Sequence, residues 1–125
     1  MVRVVLVDDH ARVRRLLGEL IDEDGRFQVV GEAENGREAI ETAKRLQPDA
    51  VILDQEMPEM SGTEALPQLV SIVPRVVVVM FSSGPRPETE AIAMAAGADA
   101  YFEKTDPVPD LLDAVADLVA AQASS

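Results

Sequence analysis

Apolar residues run nearly continuously through several stretches of the chain and mark candidate β-strands. These stretches are residues 2–7, 27–30, 50–53 and 76–81, and a weaker one covers residues 100–102. The runs are rich in β-branched residues and do not alternate with polar ones, which is typical of strands buried on both faces. The pattern therefore predicts five strands of a parallel sheet covered by helices.

Between these runs, apolar residues recur at helical spacing. In the first such segment the predicted buried stripe consists of Val13, Leu16, Leu17, Leu20 and Ile21. Gly25 is the predicted stop of this helix, because glycine readily adopts the left-handed conformation that ends many helices. Asn35, with Glu38 three residues later, predicts the cap that begins the second helix, and Pro48 ends its pattern.

The later helical segments are less regular. The third has an apolar stripe of Leu66, Leu69, Val70 and Val73. Pro67 falls inside this stripe and removes a backbone hydrogen bond, which predicts a late start or a kink. In the fourth segment, at residues 88–96, the buried candidates are Ala91, Ile92 and Ala95. These are smaller than the candidates of the other helices, so we expect this helix to be the least firmly packed.

The fifth helix is predicted to open at Asp106 and Pro107. Its stripe consists of Val108, Leu111, Leu112, Val115, Leu118 and Val119. Strands alternating with helices indicate an α/β fold, and the need for right-handed crossovers favours a doubly wound domain with three layers. The length of 125 residues fits a single domain over residues 1–125, with about residues 120–125 as a flexible tail. Ligands of such folds bind outside the carboxyl ends of the strands.

Composition narrows the possible functions. The chain has 23 acidic and 11 basic residues, a formal net charge of -12, so we expect no direct binding to nucleic acid or to anionic membranes. It contains no cysteine, which excludes disulfides, thiolate metal sites and cysteine nucleophiles. The apolar runs are too short to span a bilayer and no signal peptide is recognisable, so a cytoplasmic protein is predicted.

Polar residues follow four of the predicted strands and should meet at one edge of the sheet. They are Asp8, Asp9, Asp54, Ser82, Ser83 and Lys104. Carboxylates that converge in this way repel one another unless a hard cation lies between them, and oxygen ligands suit Mg2+. A metal ion flanked by a carboxylate, a hydroxyl and an ammonium group is a place to hold a phosphoryl group.

An ordered set of motifs closely resembles the receiver domain of two-component response regulators. The motifs are VLVDDH at the first strand, ILDQEMPEMSG at the third, VVVMFSS at the fourth and GADAYFEKTDP at the fifth. The resemblance covers essentially the whole chain and implies a flavodoxin-like (βα)5 domain with the strand order 2-1-3-4-5. The stretches DDH and GRFQVVGEAENGREAIE are most similar to receivers that precede a helix-turn-helix output domain, and no such domain follows in this sequence.

The resemblance implies a role for each residue at this edge. Asp54 is the expected acceptor of a phosphoryl group from a histidine kinase. Asp8 and Asp9, together with Asp54 and the backbone carbonyl of Glu56, are expected to hold Mg2+ or Mn2+. Lys104 is expected to pair with the phosphoryl group.

The same resemblance implies a switch made of a hydroxyl and an aromatic ring. Ser82 is expected to bind the phosphoryl group, although Ser83 is an alternative because strand ends are uncertain by a residue or two. Tyr101 is the expected switch aromatic, and the alternative is an ordinary half-buried strand residue. His10 is the only histidine; a metal or phosphorelay role is conceivable, but we favour a residue that simply begins the first helix.

Two positions depart from the family pattern. Thr105 follows Lys104 where many receivers have proline in a cis peptide, and a non-proline cis bond costs about 2.5–4 kcal/mol. The resemblance therefore does not by itself imply a cis peptide bond between Lys104 and Thr105. Glu56 places a second carboxylate two residues beyond the acceptor, where it can reach the metal or its waters. Pro58 and Gly62 match the family's turn after the acceptor.

The implied function is a phosphorylation-dependent signalling switch and not an enzyme. Its expected partners are a histidine kinase or phosphotransfer protein and a downstream protein or a missing output domain, controlled through the face formed by helix 4, strand 5 and helix 5. We expect a monomer or a weak, phosphorylation-dependent dimer.

Two other classes compete with this function. A small haloacid-dehalogenase-like phosphohydrolase also uses an aspartate nucleophile and Mg2+, and Glu56 would replace its second acid. That family, however, begins its motif on the first strand and uses aspartate as the acid. An adaptor that signals without phosphorylation is the third class, and the intact set of acidic residues with Lys104 argues against it.

Overall fold

The computed structural model describes residues 1–83 and 87–124, which form a three-layer α/β domain. In chain order the elements are β1 Val2–Val7, α1 Ala11–Asp24, β2 Phe27–Ala33, α2 Gly36–Leu46, β3 Ala50–Leu53, α3 Gly62–Ile72, β4 Val77–Ser82, α4 Glu88–Ala96, β5 Ala100–Glu103 and α5 Val108–Ala123. All neighbouring strands are parallel, in the order β2-β1-β3-β4-β5. The doubly wound, flavodoxin-like fold and its strand order are thus confirmed.

Each face of the sheet carries its own apolar core. Val5 and Val7 of β1 pack into a cluster with residues of α2, α3 and α4. Val4 and Leu6 of the same strand pack on the opposite face with residues of α1 and α5. All residues of β3 are buried, which explains why its sequence is continuously apolar. The helices therefore cover both faces and leave the carboxyl ends of the strands accessible at one edge.

Side-chain caps fix where the helices near this edge begin. The side chain of Asn35 accepts a hydrogen bond of 2.9 Å from the backbone N–H of Glu38, as the sequence predicts. Ser61 and Glu64 form a reciprocal capping box at the start of α3. This helix therefore begins upstream of Pro67 and contains it, so the predicted late start is wrong. The capping box supplies hydrogen bonds to backbone N–H groups at the start of the helix. This stabilisation offsets the one backbone hydrogen bond that proline removes.

Helix α4 buries a different face from the one predicted, and one residue of the predicted α1 stripe is exposed. In α4 the buried residue is Ala93, whereas Ala91, Ile92 and Ala95 are all exposed. In α1, Leu16 is 56% exposed although it belongs to the predicted stripe. The sequence of α4 is rich in alanine, so its periodicity barely distinguishes one face from another. Its limited burial agrees with the expectation that it is the least firmly packed helix.

The last helix begins as predicted and reaches further than predicted. Pro107 precedes its first turn, and Leu111, Leu112 and Val115 are buried against the sheet. The helix continues through Ala123, so residues 120–123 are helical. Among the helices that the structure describes, none is long and apolar enough to cross a membrane.

Candidate functional site

Backbone hydrogen bonds carry the sheet ladder past the strand ends and hold the predicted site residues in place. The N–H of Asp54 donates to the carbonyl of Val7 (2.9 Å), and the N–H of Lys104 donates to the carbonyl of Ser82 (2.9 Å). Asp8 extends β1 in the same way, with a bond of 3.0 Å to β2. Because the strands are parallel, these residues at their carboxyl ends meet at a single edge.

An ammonium group bridges two of the carboxylates. Nζ of Lys104 lies 2.9 Å from Oδ2 of Asp8 and 3.3 Å from Oδ1 of Asp54. Both aspartates are only 2% exposed. A buried carboxylate is costly unless it is paired, and Lys104 supplies part of that pairing for both.

The charge state of Asp54 reflects this incomplete compensation. Burial, together with repulsion from Asp8, raises the pKa of Asp54 from its ordinary value of 3.8 to about 7, against the opposing effect of Lys104. Burial opposes the charged form of Lys104, but its contacts with Asp8 and Asp54 outweigh this, so the pKa of Lys104 is raised. The pocket therefore holds more negative charge than one lysine neutralises.

The acidic residues are close enough to share one cation. Single ligand atoms of Asp8, Asp9, His10 and Asp54 all lie within 4.8 Å of one another. Oδ2 of Asp54 is buried and accepts no hydrogen bond within the described part of the chain, and the buried Oδ1 of Asp9 contacts a ring nitrogen of His10 at 3.0 Å. A buried carboxylate oxygen without a donor, beside other carboxylates, is suited to a hard cation, so this acidic pocket can bind a metal ion. The expected ligand from the backbone carbonyl of Glu56 stays a prediction.

His10 both caps a helix and contacts the acidic pair. It occupies the residue before the first turn of α1, without a capping hydrogen bond from its side chain. Its backbone N–H donates to Oδ1 of Asp8 (2.9 Å), and its Nδ1 lies 3.0 Å from Oδ1 of Asp9. This position agrees with the favoured interpretation of His10 as a residue that begins the helix. The sequence did not reveal that its ring also contacts the acidic pair.

The hydroxyl predicted to bind the phosphoryl group is already held by a carboxylate. Oγ of Ser82 donates to Glu56, at 2.8 Å from Oε1 and 3.0 Å from Oε2. Ser82 is fully buried, whereas Ser83 is exposed. Ser82 therefore contacts the residue two positions beyond Asp54, and its expected binding of the phosphoryl group stays a prediction. The sequence predicted that the Glu56 carboxylate can reach the metal or its waters. It did not indicate that this carboxylate binds the hydroxyl of Ser82.

Tyr101 is buried in β5, two residues before the partner of Ser82 in the sheet. It pairs with Met80 across β4 and β5, is 7% exposed and packs with the core on the α2, α3 and α4 side. This burial exceeds that of an ordinary half-buried strand residue. Its expected role in switching stays a prediction.

Arg14 is a site residue that the sequence analysis did not identify. Its guanidinium donates to the backbone carbonyl of Asp8 and, at 2.9 Å, to the carboxylate of Glu32. Its side chain is only 16% exposed. Arg14 thus ties α1 and β2 to the loop that carries the acidic pair. A cluster of arginines on a surface helix gives no indication of which one turns inward.

Comparison with known proteins decides the family. The family model described as the response regulator receiver domain matches residues 4–116. The chain belongs to this family. It is therefore a receiver domain of the two-component response regulators, with the fold and the acidic pocket described above.

Curated relatives are longer than this receiver domain. The chain is 40% identical over 105 residues to protein-glutamate methylesterase/protein-glutamine glutaminase 2 of Photobacterium profundum, covering 82% of the chain and 26% of that protein. It is 36% identical over 114 residues to response regulator protein VraR of Staphylococcus aureus, covering 91% of the chain and 54% of VraR. The receiver domain thus spans about a quarter of the first relative and about half of the second.

Solved structures of similar length superimpose closely on the receiver domain. The response regulator domain of Thermotoga maritima CheB has a TM-score of 0.87 at 32% identity, covering 95% of this chain and 96% of that chain. The signal receiver domain of the putative response regulator NarL from Mycobacterium tuberculosis has a TM-score of 0.88 at 31% identity, covering 94% and 95%. The likeness extends over nearly the whole of each chain.

Proposed function

We propose that this receiver domain is a cytoplasmic, phosphorylation-dependent switch whose acceptor is Asp54. The observation that carries the proposal is the state of that side chain. It is 2% exposed, it contacts Lys104 through Oδ1, and its Oδ2 accepts no hydrogen bond within the described residues. A buried oxygen without a donor beside a fixed ammonium group is positioned as a nucleophile. The phosphoryl donor would be a histidine kinase or a phosphotransfer protein.

In the proposed reaction an oxygen of Asp54 attacks the phosphorus of a phosphohistidine. A new O–P bond forms while the N–P bond breaks, and the electron pair of that bond returns to the imidazole nitrogen of the donor. The product is an aspartyl phosphate. Both reactants are anionic, so the main task of the protein is to neutralise charge and to position the groups.

The residues around the acceptor divide this task. Asp8 and Asp9, with Asp54 and the backbone carbonyl of Glu56, would hold Mg2+ or Mn2+, which supplies positive charge to the phosphoryl oxygens when bound. Lys104 supplies a second, permanent positive charge from the end of β5. The phosphorylated side chain carries about two negative charges, so Lys104 gains a stronger partner than the carboxylate it contacts in this structure.

Output follows from movement around the acceptor. The hydroxyl of Ser82 would turn to the phosphoryl oxygens, and Tyr101 of the neighbouring strand would follow, which changes the face formed by α4, β5 and α5. That face would control a protein partner or an output domain. We propose no enzymatic turnover of external substrates and no direct contact with nucleic acid, because the net charge of -12 opposes phosphate backbones. A monomer, or a weak dimer formed on phosphorylation, is expected.

Intact-mass analysis tests this proposal. With Mg2+ and acetyl phosphate, the parent chain should gain one phosphoryl group, and Asp54→Asn should gain none. A matched control is Asp22→Asn, which alters an exposed aspartate of α1 and should be labelled like the parent. Equal labelling of Asp54→Asn and the parent would refute the assignment. Sustained turnover of an aryl phosphate by the parent would favour a phosphohydrolase instead.

A further inference from the structure

The hydrogen bond between Ser82 and Glu56 gives the glutamate a role that the general features of the site do not require. The single hydroxyl hydrogen of Ser82 faces both carboxylate oxygens of Glu56, at 2.8 and 3.0 Å. Hydrogen bonds to an ionised acceptor are about twice as strong as neutral ones. The hydroxyl is therefore well satisfied before any phosphoryl group is present.

Glu56 is also tied to the acceptor itself. Its backbone N–H donates to Oδ1 of Asp54 at 3.3 Å. One residue thus contacts the acceptor through its main chain and the neighbouring hydroxyl through its side chain. Ser82 is fully buried at the end of β4, whereas Glu56 is exposed on the loop after β3. The exposed carboxylate can move away into solvent, while the buried serine cannot.

We propose that Glu56 is a positioning residue that holds the Ser82 hydroxyl away from the acceptor and so sets the threshold for activation. This inference rests on the proposed phosphorylation of Asp54. A hydroxyl has one hydrogen to donate, so full donation to a phosphoryl oxygen requires that the bond to Glu56 break. Activation then exchanges one charge-assisted hydrogen bond for another instead of gaining a new one.

Electrostatics makes the exchange responsive to the phosphoryl group. Phosphorylation places about two negative charges on Asp54, two residues from the Glu56 carboxylate. Repulsion between like charges weakens the hold of Glu56 on Ser82 at the moment when a stronger acceptor arrives. The Glu56 carboxylate therefore stabilises the resting state before phosphorylation and releases the Ser82 hydroxyl after it.

Glu56→Gln tests the proposal with little change in side-chain shape. The neutral amide is a weaker acceptor for the hydroxyl, and charge-assisted and neutral hydrogen bonds differ by about 1 kcal/mol, a factor of about 5. Beryllofluoride, a mimic of the phosphoryl group, should therefore bind Glu56→Gln about fivefold more tightly than it binds the parent. Affinity is measured by calorimetry at a Mg2+ concentration that saturates each variant, so that an effect on metal binding does not enter the comparison.

A double-mutant cycle shows whether Glu56 acts through Ser82. In the Ser82→Ala background the hydroxyl is absent, so Glu56→Gln should lose most of its effect on the affinity for beryllofluoride and keep only the small part that comes from direct charge repulsion. If the fivefold gain persists there, Glu56 acts by direct repulsion or through the metal, and the proposal is overturned. An unchanged affinity of Glu56→Gln in the Ser82-containing chain would overturn it as well.

Two controls separate this inference from the proposed function. Glu59→Gln removes the same charge from an exposed position in the same loop and should change the affinity by less than about twofold, as expected for a solvated charge. If Glu59→Gln matched Glu56→Gln, loop charge and not the Ser82 contact would explain the gain. If the parent failed to bind beryllofluoride, or if Asp54→Asn bound it equally, the proposed acceptor would be wrong. If only the double-mutant cycle gave the contrary result, Asp54 would still be the acceptor, but the proposed role of Glu56 would be wrong.

Discussion

Nζ of Lys104 lies closer to Oδ2 of Asp8 than to Oδ1 of Asp54, at 2.9 and 3.3 Å. In the absence of a phosphoryl group, the lysine is therefore shared between an expected metal ligand and the expected acceptor. This arrangement neutralises part of the charge of two buried carboxylates. It also means that the stability of the resting domain depends on Lys104.

We expect Lys104→Met to lower the free energy of unfolding by about 2 kcal/mol in metal-free buffer, because it leaves two buried carboxylates without their cation. Urea denaturation at pH 7.5 measures this change. Lys44→Met removes an exposed lysine of α2 and should cost less than about 0.5 kcal/mol. Saturating Mg2+ should reduce the defect of Lys104→Met. Similar losses in the two variants would contradict this account.

Asp54 should make the resting protein less stable as pH rises. Its folded pKa, about 7, lies above its ordinary value of 3.8, so the folded state binds more protons than the unfolded state between these values. Stability therefore falls as pH rises through this window. In metal-free buffer at pH 8, Asp54→Asn should be more stable than the parent by about 2–4 kcal/mol, since one pKa unit corresponds to about 1.4 kcal/mol.

The pH dependence separates this effect from a general consequence of the substitution. At pH 5 the carboxyl is protonated in the folded state and mostly ionised in the unfolded state, so the advantage of Asp54→Asn should shrink to less than half of its value at pH 8. Denaturation curves at both pH values measure the difference. A constant difference from pH 5 to pH 8 would rule out the buried charge as its cause.

Metal binding should stabilise the domain through the acidic residues. At a free Mg2+ concentration of about 100 times the dissociation constant, the free energy of unfolding should rise by about 2.7 kcal/mol, and EDTA should reverse the gain. Asp9→Ala should lose most of this gain, because a buried oxygen of Asp9 lies in the acidic pocket. Glu41→Ala, at an exposed position of α2, should keep it. Equal Mg2+ responses in Asp9→Ala and Glu41→Ala would count against the metal site.

Two glycines should respond in opposite ways to alanine. A Cβ on Gly62 would lie 2.3 Å from the backbone carbonyl oxygen of Asp54, so Gly62→Ala should destabilise the domain by more than about 2 kcal/mol and slow labelling of Asp54 by acetyl phosphate. A Cβ on Gly18 would meet nothing within 4 Å. Gly18→Ala should therefore stabilise α1 by about 0.5–1 kcal/mol through its higher helix propensity. Thermal denaturation and intact-mass labelling give both results, and a Gly62→Ala protein that matched the parent in both would refute the close approach.

The sequence by itself determined the architecture. Strands buried on both faces need continuous apolar residues, and helix ends need caps such as Asn35 and stops such as Gly25, so both leave local patterns. The position of Asp8, Asp54 and Lys104 at one edge also followed, because parallel strands place their carboxyl ends together. The strand order itself came from the resemblance to receiver domains and not from periodicity.

Only the tertiary structure decided which side chains face one another. The alanine-rich pattern of α4 did not indicate that Ala93 is its buried residue. Small residues lie on all sides of this helix, so packing against neighbouring elements decides which face is buried. Local sequence also did not indicate that Arg14 reaches the carbonyl of Asp8, or that Glu56 holds the hydroxyl of Ser82 on another strand. The contact between Glu56 and Ser82 joins residues far apart in the chain, and its geometry exists only once the sheet has brought the strand ends together.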